Sequence, residues 1–377
     1  MQILQFSKFY PPVQGGIEAV AQGLTEGLNE RGVHTDVLCA DLGRRTVVEQ
    51  REGYTVERAG SLGKLLSTSM SPALAWRYMK MQSRYDVVHL HLPNPMSNLA
   101  VWLARSKARI VVHWHSDIVN QPKALRLYMP LQDWLLRRAD AIIATSAAYA
   151  AHSPWLQPYL NKVHVVPLGL RAPSPPPDHG RIAEAASAIR KRHGGRPLVF
   201  ALGRMAVYKG FETLIHAAPL LHRDAQIIVG GGGELLDAHR RSVKIDNIGH
   251  RIRFDGAMTA EHVAAHLAAA DVFCLPSHSR AEAFGMVLLE AMAASLPIVA
   301  SDIPGSGVAW VNVEGQTGFN VRVADPHALA SAVNALLDDP VLAARMGEAG
   351  RRRLDEVFTE RQMVDRTLEV YRACGAR

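Results

Sequence analysis

The residues best able to do chemistry lie between Glu282 and Glu290, in the run Glu-Ala-Phe-Gly-Met-Val-Leu-Leu-Glu. A short apolar strand, Val272–Leu275, leads into a polar loop that carries Glu282. The pattern then predicts a helix beginning near Gly285, with Phe284, Gly285, Met286 and Val287 as its first turn. First-turn N–H groups have no partner inside their helix, and they meet a bound anion at the positive end of the helix dipole. A diphosphate suits such a place. Glu282, just before the helix, is positioned to accept hydrogen bonds from hydroxyls such as those of a sugar. Glu290 falls in an otherwise apolar stretch and therefore needs a partner. A ribose diol is one candidate and a buried arginine the other.

Further candidates also follow short apolar runs. Gly203-Arg-Met-Ala-Val-Tyr-Lys-Gly210 places Arg204 and Lys209 on one short loop, able to clamp two phosphates, or to form a solvated basic loop. Gly15 and Gly16 precede a helix, which suits either an anion cradle or a plain helix start. Gly230 to Gly233 could cradle phosphate or form a tight turn. His113-Trp-His-Ser-Asp117 and His89-Leu-His91 put two histidines each on one strand face. They admit a metal, a substrate contact by His115 or Asp117, or histidines satisfied in the interior. Ser301-Asp-Ile-Pro-Gly-Ser-Gly307 reads as a flexible loop, without the glycine spacing of a hydrolase elbow.

The elements that must position these residues alternate. Met1–Phe6, His34–Cys39, Asp86–Leu92, Ile110–Trp114, Ala141–Ala144 and Val163–Val166 read as strands, with helical patterns between most of them. After the proline-rich run 171–177 the alternation resumes with Pro197–Leu202, Gln226–Gly230, Ile252–Phe254, Val272–Leu275, Pro297–Ala300 and Gly318–Val321. About Pro340 to Arg372 reads as helix throughout. Alternating strands and helices imply an α/β fold of parallel, doubly wound sheets, which bind ligands at the carboxyl ends of their strands.

The chain has 377 residues, of which 48% are hydrophobic and 20% charged, an ordinary globular profile long enough for two domains. A formal charge of +7 is spread out, without the dense basic run of a nucleic-acid arm, so no nucleic-acid partner is expected. Cys39, Cys274 and Cys374 are too far apart to suggest a zinc or disulfide framework. No stretch is apolar for the ~20 residues that span a bilayer, and no signal peptide opens the chain, so a cytoplasmic protein is expected. The segment from Gln121 to Asp140 is basic and amphipathic, with Lys123, Arg126, Arg137 and Arg138 beside Leu125, Leu127, Tyr128, Trp134 and Leu135. It could rest on an anionic membrane or pack on its own domain.

Glu282, seven intervening residues and Glu290, with Arg204 and Lys209 upstream, resemble the signature of the retaining GT-B glycosyltransferases of family 4. The Gly15-Gly16 loop, His115 and Thr317-Gly318-Phe319 follow in the same order, so the resemblance covers essentially the whole chain. It is strongest towards bacterial polysaccharide and O-antigen mannosyltransferases. It implies two Rossmann-like domains facing across a deep cleft. These are residues 1–170 for the acceptor, a linker at 171–180, residues 181–357 for the nucleotide sugar, and a last helix, 358–377, packing back on the first domain. It implies donor contacts from Gly15, Gly16, Arg204, Lys209, Glu282, Phe284, Gly285, Met286, Val287 and Glu290. His115, Glu282, Arg204 and Lys209 would serve catalysis, with His115 at the reacting face. In one respect the chain departs from the pattern: the acidic residue often found among the second-domain glycines is missing from Gly230 to Gly233.

The expected activity is transfer of a hexose, with mannose from GDP-mannose the leading choice, to a polyprenyl-diphosphate-linked or other glycan acceptor in cell-surface polysaccharide synthesis. No cofactor is expected and no metal is required, because the cationic pair takes that part. Peripheral contact with the inner face of the plasma membrane is implied. Two alternatives remain at this point: a sugar-nucleotide epimerase or phosphorylase of the same fold, and a metal-dependent hydrolase built on the His-x-His pairs.

Overall fold

The structure is a computed structural model that describes residues 1–13, 15–65, 68–118, 122–171 and 178–375, with backbone alone at 64, 65 and 122–125. The chain divides into two compact units, Met1–Arg171 with Thr359–Arg377, and Ala172–Phe358. Past Arg171 the proline-rich run expected as a linker lies outside the described residues. The next helix, His179–Arg192, is capped by the Asp178 carboxylate.

The first unit contains β1 (Gln2–Phe6), β2 (His34–Ala40), β3 (Val47–Arg51), β4 (Tyr54–Ala59), β5 (Val87–Leu92), β6 (Arg109–Trp114), β7 (Ala141–Ala144) and β8 (Val163–Val165). They form one sheet in the order β8-β7-β6-β5-β1-β2-β4-β3. Every pairing is parallel except β3 with β4. β1 lies between β2 and β5, so the chain winds away from it in both directions, the topological switch where such sheets bind ligands. β5 is buried along its whole length, as a strand covered on both faces must be. In place of an unbroken apolar run it carries His89 and His91 on one face.

The helix Glu360–Ala373 belongs to this unit and packs on the helix Gly16–Glu30. Gly23 and Gly27, one turn apart, permit the close approach. A Cβ at Gly27 would lie 2.7 Å from Val364 Cγ2. Pro340 to Arg372, which apolar periodicity predicts as one helix, is two. One helix, Pro340–Val357, ends before Phe358, and Thr359 starts the next with a reciprocal capping box to Gln362. The two polar caps offset the interruption that apolar periodicity alone does not reveal. The β3–β4 pair also escaped the reading. Its inward positions include Arg58, buried and bonded to Glu49 Oε1 at 2.6 Å, so the apolar alternation is broken.

The second unit contains β9 (Leu198–Leu202), β10 (Gln226–Gly230), β11 (Ile252–Gly256), β12 (Val272–Leu275), β13 (Ile298–Asp302) and β14 (Gly318–Arg322). The order is β11-β10-β9-β12-β13-β14 and all pairings are parallel. Apolar side chains of these strands, among them Val199, Ala201, Ile227, Val229, Cys274 and Val299, share one core cluster. β9 lies between β10 and β12, so the loops after β9 and β12 flank this sheet's switch point. Every strand expected from the apolar runs is present in one unit or the other, and the fold is doubly wound α/β as expected.

Candidate active site

The loops after β9 and β12 bring Lys209 and Glu282 together. Lys209 Nζ donates to Glu282 Oε2 at 2.5 Å, and both side chains are largely buried. Ser277 Oγ donates to the same carboxylate oxygen at 3.1 Å. Burial pulls the Lys209 ammonium down in pKa, but the Glu282 carboxylate outweighs that and raises it, so the charge is kept. The two loops also meet through their backbones. His278 N–H donates to the Tyr208 carbonyl at 2.9 Å. Gly210 has φ +64°, and a Cβ there would come 2.3 Å from the Pro276 carbonyl oxygen. Only glycine satisfies both the left-handed backbone and the close approach.

Arg204, on the first of these loops, is exposed and makes no ion pair among the described residues. Its charge is felt at Lys209. A second cation therefore stands free beside a buried, paired one. Gly230 to Gly233, which the sequence allowed as a phosphate cradle, lie against this loop. Gly203 N–H donates to the Gly230 carbonyl at 3.0 Å and Met205 N–H to that of Gly232 at 2.9 Å. A Cβ at Gly231, where φ is +122°, would come 2.0 Å from the Gly203 carbonyl oxygen. The glycines here serve backbone packing.

The helix after β12 runs Met286–Ala293, starting later than expected. Gly285, at φ +83°, is its N-cap, so Phe284 and Gly285 precede the helix rather than forming its first turn. The left-handed glycine turns the chain into the helix. The Leu288 N–H donates to the Gly285 carbonyl at 2.8 Å. The amides of Phe284, Gly285, Met286 and Val287 have no acceptor among the described residues, so these four donors are unpaired at the helix start. Glu290 stands on this helix between buried Leu289 and Ala291. Burial lifts its carboxyl to about 7, and the Lys209 charge offsets part of that rise.

Two supports were not anticipated from the sequence. Ser306 Oγ donates to the Glu282 carbonyl at 2.5 Å, and Gly307 N–H to the Ala283 carbonyl at 2.8 Å. The segment Ser301 to Gly307 therefore braces the Glu282 loop, and the reading of it as merely flexible is set aside. Thr317 is buried and bonds Asn312 Oδ1 at 2.8 Å, a turn-forming contact. The only sequence signal for these was hydroxyl residues in loops after strands.

His115, Gly15 and Gly16 belong to the first unit. His115 directly follows β6, and its Nε2 lies 2.9 Å from His91 Nδ1. Burial pushes its pKa down to about 3, so it is neutral. His89, His91 and His113 are also held well below the usual histidine range, by burial first and by the neighbouring imidazoles, His115 among them, second. Asp117 accepts from Trp114 Nε1 at 2.9 Å and from Ser153 Oγ at 2.7 Å, which ties down the strand end. Gly16 is the first residue of its helix rather than preceding it, and Gly15 is the N-cap. A Cβ at Gly15 would lie 2.1 Å from Glu18 Oε2, so that carboxylate lies against the glycine. The three cysteines are free.

A doubly wound fold in two units, with a cationic loop and unpaired amides flanking a switch point, has the chemistry that suits a phosphorylated ligand. A family described as "Glycosyl transferases group 1" matches residues 183–353, and one described as "Glycosyl transferase 4-like domain" matches residues 15–169. The O-antigen chain mannosyltransferase C of Escherichia coli is 32% identical over 374 residues, 98% of each chain. The GDP-mannose-dependent alpha-(1-6)-phosphatidylinositol monomannoside mannosyltransferase of Mycolicibacterium smegmatis is 29% identical over 365 residues, 91% of each chain. The sucrose-phosphate synthase structure from Thermosynechococcus elongatus superposes with a TM-score of 0.82 at 23% identity, covering 100% of both chains. The chain belongs to these glycosyltransferases, has their GT-B fold, and is a hexosyltransferase. The matches favour neither the epimerase or phosphorylase alternative nor the metal-dependent hydrolase.

Two predictions follow from this geometry. Lys209→Ala leaves a buried carboxylate unpaired and should cost about 3 kcal/mol of stability. The double replacement Lys209→Met with Glu282→Leu should recover most of it, and equal losses by chemical denaturation in both would refute the coupling. Glu290 has a folded pKa of about 7 against an ordinary 4.5, so the folded chain keeps a proton that the unfolded chain releases between those values. Its contribution to stability falls as pH rises through that window. Glu290→Gln should therefore gain on the wild type from pH 4.5 to pH 7, whereas parallel profiles would contradict the shift.

Proposed function

We propose that this enzyme transfers mannose from GDP-mannose, with retention of configuration, to a polyprenyl-diphosphate-linked or other glycan acceptor in lipopolysaccharide or O-antigen synthesis. The observation that carries the reading is the Lys209–Glu282 pair beside the unpaired amides of Phe284 to Val287. The names of the Escherichia coli and Mycolicibacterium relatives support mannose, and the second supports GDP-mannose.

In this mechanism Glu282 keeps Lys209 charged and extended until the donor arrives. Lys209, Arg204 and the amides then take up the negative charge that grows on the departing diphosphate, a preorganised electrostatic stabilisation. Glu282 contacts the sugar hydroxyls and Glu290 the ribose. The acceptor hydroxyl attacks the face the diphosphate leaves, and a leaving phosphate oxygen accepts its proton. His115, neutral by burial, has a hydrogen bond rather than a charge to offer a sugar. No metal takes part in transfer.

Arg204 gives the test that leaves the fold alone, since it is exposed and unpaired. Arg204→Ala should keep the wild-type melting temperature and lose about 10²–10³-fold in transfer rate. Full activity would remove Arg204 from the reaction. A thermal-shift series with GDP-mannose, GDP and UDP-glucose, followed by NMR of the product anomer, tests donor and stereochemistry. Stabilisation by UDP-glucose alone, or an inverted anomer, would overturn those parts.

For a peripheral membrane contact we propose the exposed face of the helix Pro122–Arg138. Gln121 and the side chains of 122–125, including Lys123 and Leu125, lie outside what is described. Leu135 and Leu136 are buried and Tyr128 bonds Asn98, so one face packs on its own unit. Arg137 is paired with Asp133, and Arg138 with Asp140. Arg126 and Leu127, the latter 87% exposed, remain for an anionic surface. No described helix is long and apolar enough to cross a membrane. We expect sedimentation with vesicles containing anionic lipid and a several-fold loss in Leu127→Glu; no sedimentation of the wild type would exclude the contact.

A further inference from the structure

The first unit holds a group of histidines that transfer does not use. In the register of β5 with β6, His91 pairs with His113, and alternation places His89 on the same face as His91. The rings are neighbours: centroids lie 4.8 Å apart for His89 and His91, 5.3 Å for His89 and His113, and 5.5 Å for His91 and His113. One nitrogen from each ring comes within 4.8 Å of the others. All three residues are fully buried.

Their outer nitrogens are engaged. His89 Nδ1 bonds the Tyr371 hydroxyl, and His91 Nε2 lies 2.8 Å from Gln5 Oε1. Gln5 Nε2 donates to the Tyr371 hydroxyl at 3.2 Å, which assigns the orientation of that amide. His91 therefore carries its proton on Nε2 and has its lone pair on Nδ1. The inner nitrogens are different. His89 Nε2 and both nitrogens of His113 have no protein partner among the described residues. Buried polar atoms of this kind are costly unless something satisfies them.

The geometry points to a structural site for one divalent transition-metal ion of the zinc class, bound by His89 Nε2, His91 Nδ1 and a nitrogen of His113. Imidazole donors select zinc, copper or nickel over magnesium and calcium. Tetrahedral zinc at ~2.0–2.1 Å from each nitrogen needs the nitrogens about 3.4 Å apart and a fourth ligand, for which a water serves. The ring planes now lie 13°, 35° and 23° apart for the same three pairs, so binding turns the rings about χ2 to aim their lone pairs at one point, besides shifting them on the order of 1 Å. Tyr371 and Gln5 stand where outer partners of metal-bound histidines stand, holding the second nitrogen of each ring. Binding at His91 Nδ1 releases the hydrogen bond it now accepts from His115. The fourth position of the ion is shut off from any substrate by full burial, which separates this site from a catalytic metal centre.

The full chain, freed of metal by chelation, is titrated with zinc chloride or cobalt(II) chloride alone. We expect one ion per chain, a higher melting temperature, and a cobalt absorption spectrum of tetrahedral type. His113→Phe, which keeps ring volume, should abolish stoichiometric binding, and His179→Ala at an exposed position should leave it unchanged. Tyr371→Phe should weaken binding about 10–100-fold, an effect that packing alone would not produce. A wild-type chain that takes up no ion, or a His113→Phe chain that binds as the wild type does, would overturn the site. All of these readouts are independent of transfer activity.

Discussion

The polar assembly at the strand ends of the second unit is organised around one contact, the ion pair between Lys209 and Glu282. It joins the two loops on either side of the β9–β12 switch point, the place in a doubly wound sheet where neighbouring connections diverge. It acts together with the backbone hydrogen bond from His278 to Tyr208, which joins the same two loops. The pair is mostly enclosed, so its strength is not screened as a surface pair is, and each charge needs the other. This gives the contact two effects at once. It sets the spacing between the cationic loop and the amides before Met286, and it stores two charges where a phosphorylated ligand would exchange partners with them.

Backbone approach reinforces the pair. The glycines at 210 and 231 have positive φ and stand where a methyl group would strike a carbonyl oxygen. They let the loop after β9 lie between the loop after β12 on one side and the glycine run after β10 on the other. Ser277 and Ser306 add hydrogen bonds to the side chain and the carbonyl of Glu282. The result is a small polar assembly resting on an apolar sheet, held by contacts from several strand ends. The first unit shows a related arrangement with different chemistry: β5 and β6 place imidazoles where branched aliphatics would be usual, and the polar network extends to Gln5 and Tyr371.

Much of this was legible in the sequence. Buried parallel strands announce themselves as short apolar runs, and each of those runs became a strand. The Glu282 to Glu290 spacing and the Arg204 and Lys209 loop were visible because charged residues followed such runs directly. What remained hidden shares a physical character. The Lys209–Glu282 pair joins residues far apart in sequence, and nothing local in either loop names the other. Burial of both partners also ties Lys209 to the stability of the fold, which its place in a basic loop does not reveal. The β3–β4 pair was hidden because Arg58 occupies an inward position. The break at Phe358 was hidden because a capping box competes with periodicity over a single residue. The gathering of His89, His91 and His113 followed from register, which apolar patterning sets only once both strands are known.

The first unit is discontinuous: Met1–Arg171 is completed by Thr359–Arg377, whereas the second unit is one uninterrupted stretch. Synthesis from the amino terminus makes this an ordering constraint. At roughly 5–20 residues per second, the intervening segment takes on the order of ten to forty seconds to emerge. During that interval the helix Gly16–Glu30 lacks the partner that Gly23 and Gly27 are shaped to receive, and Gln5 and His89 lack Tyr371. The second unit can complete its core as soon as it leaves the ribosome. The part of the molecule that is made first is thus finished last, and the nascent chain must keep a helix face and a polar cluster uncovered while the rest of the protein is translated.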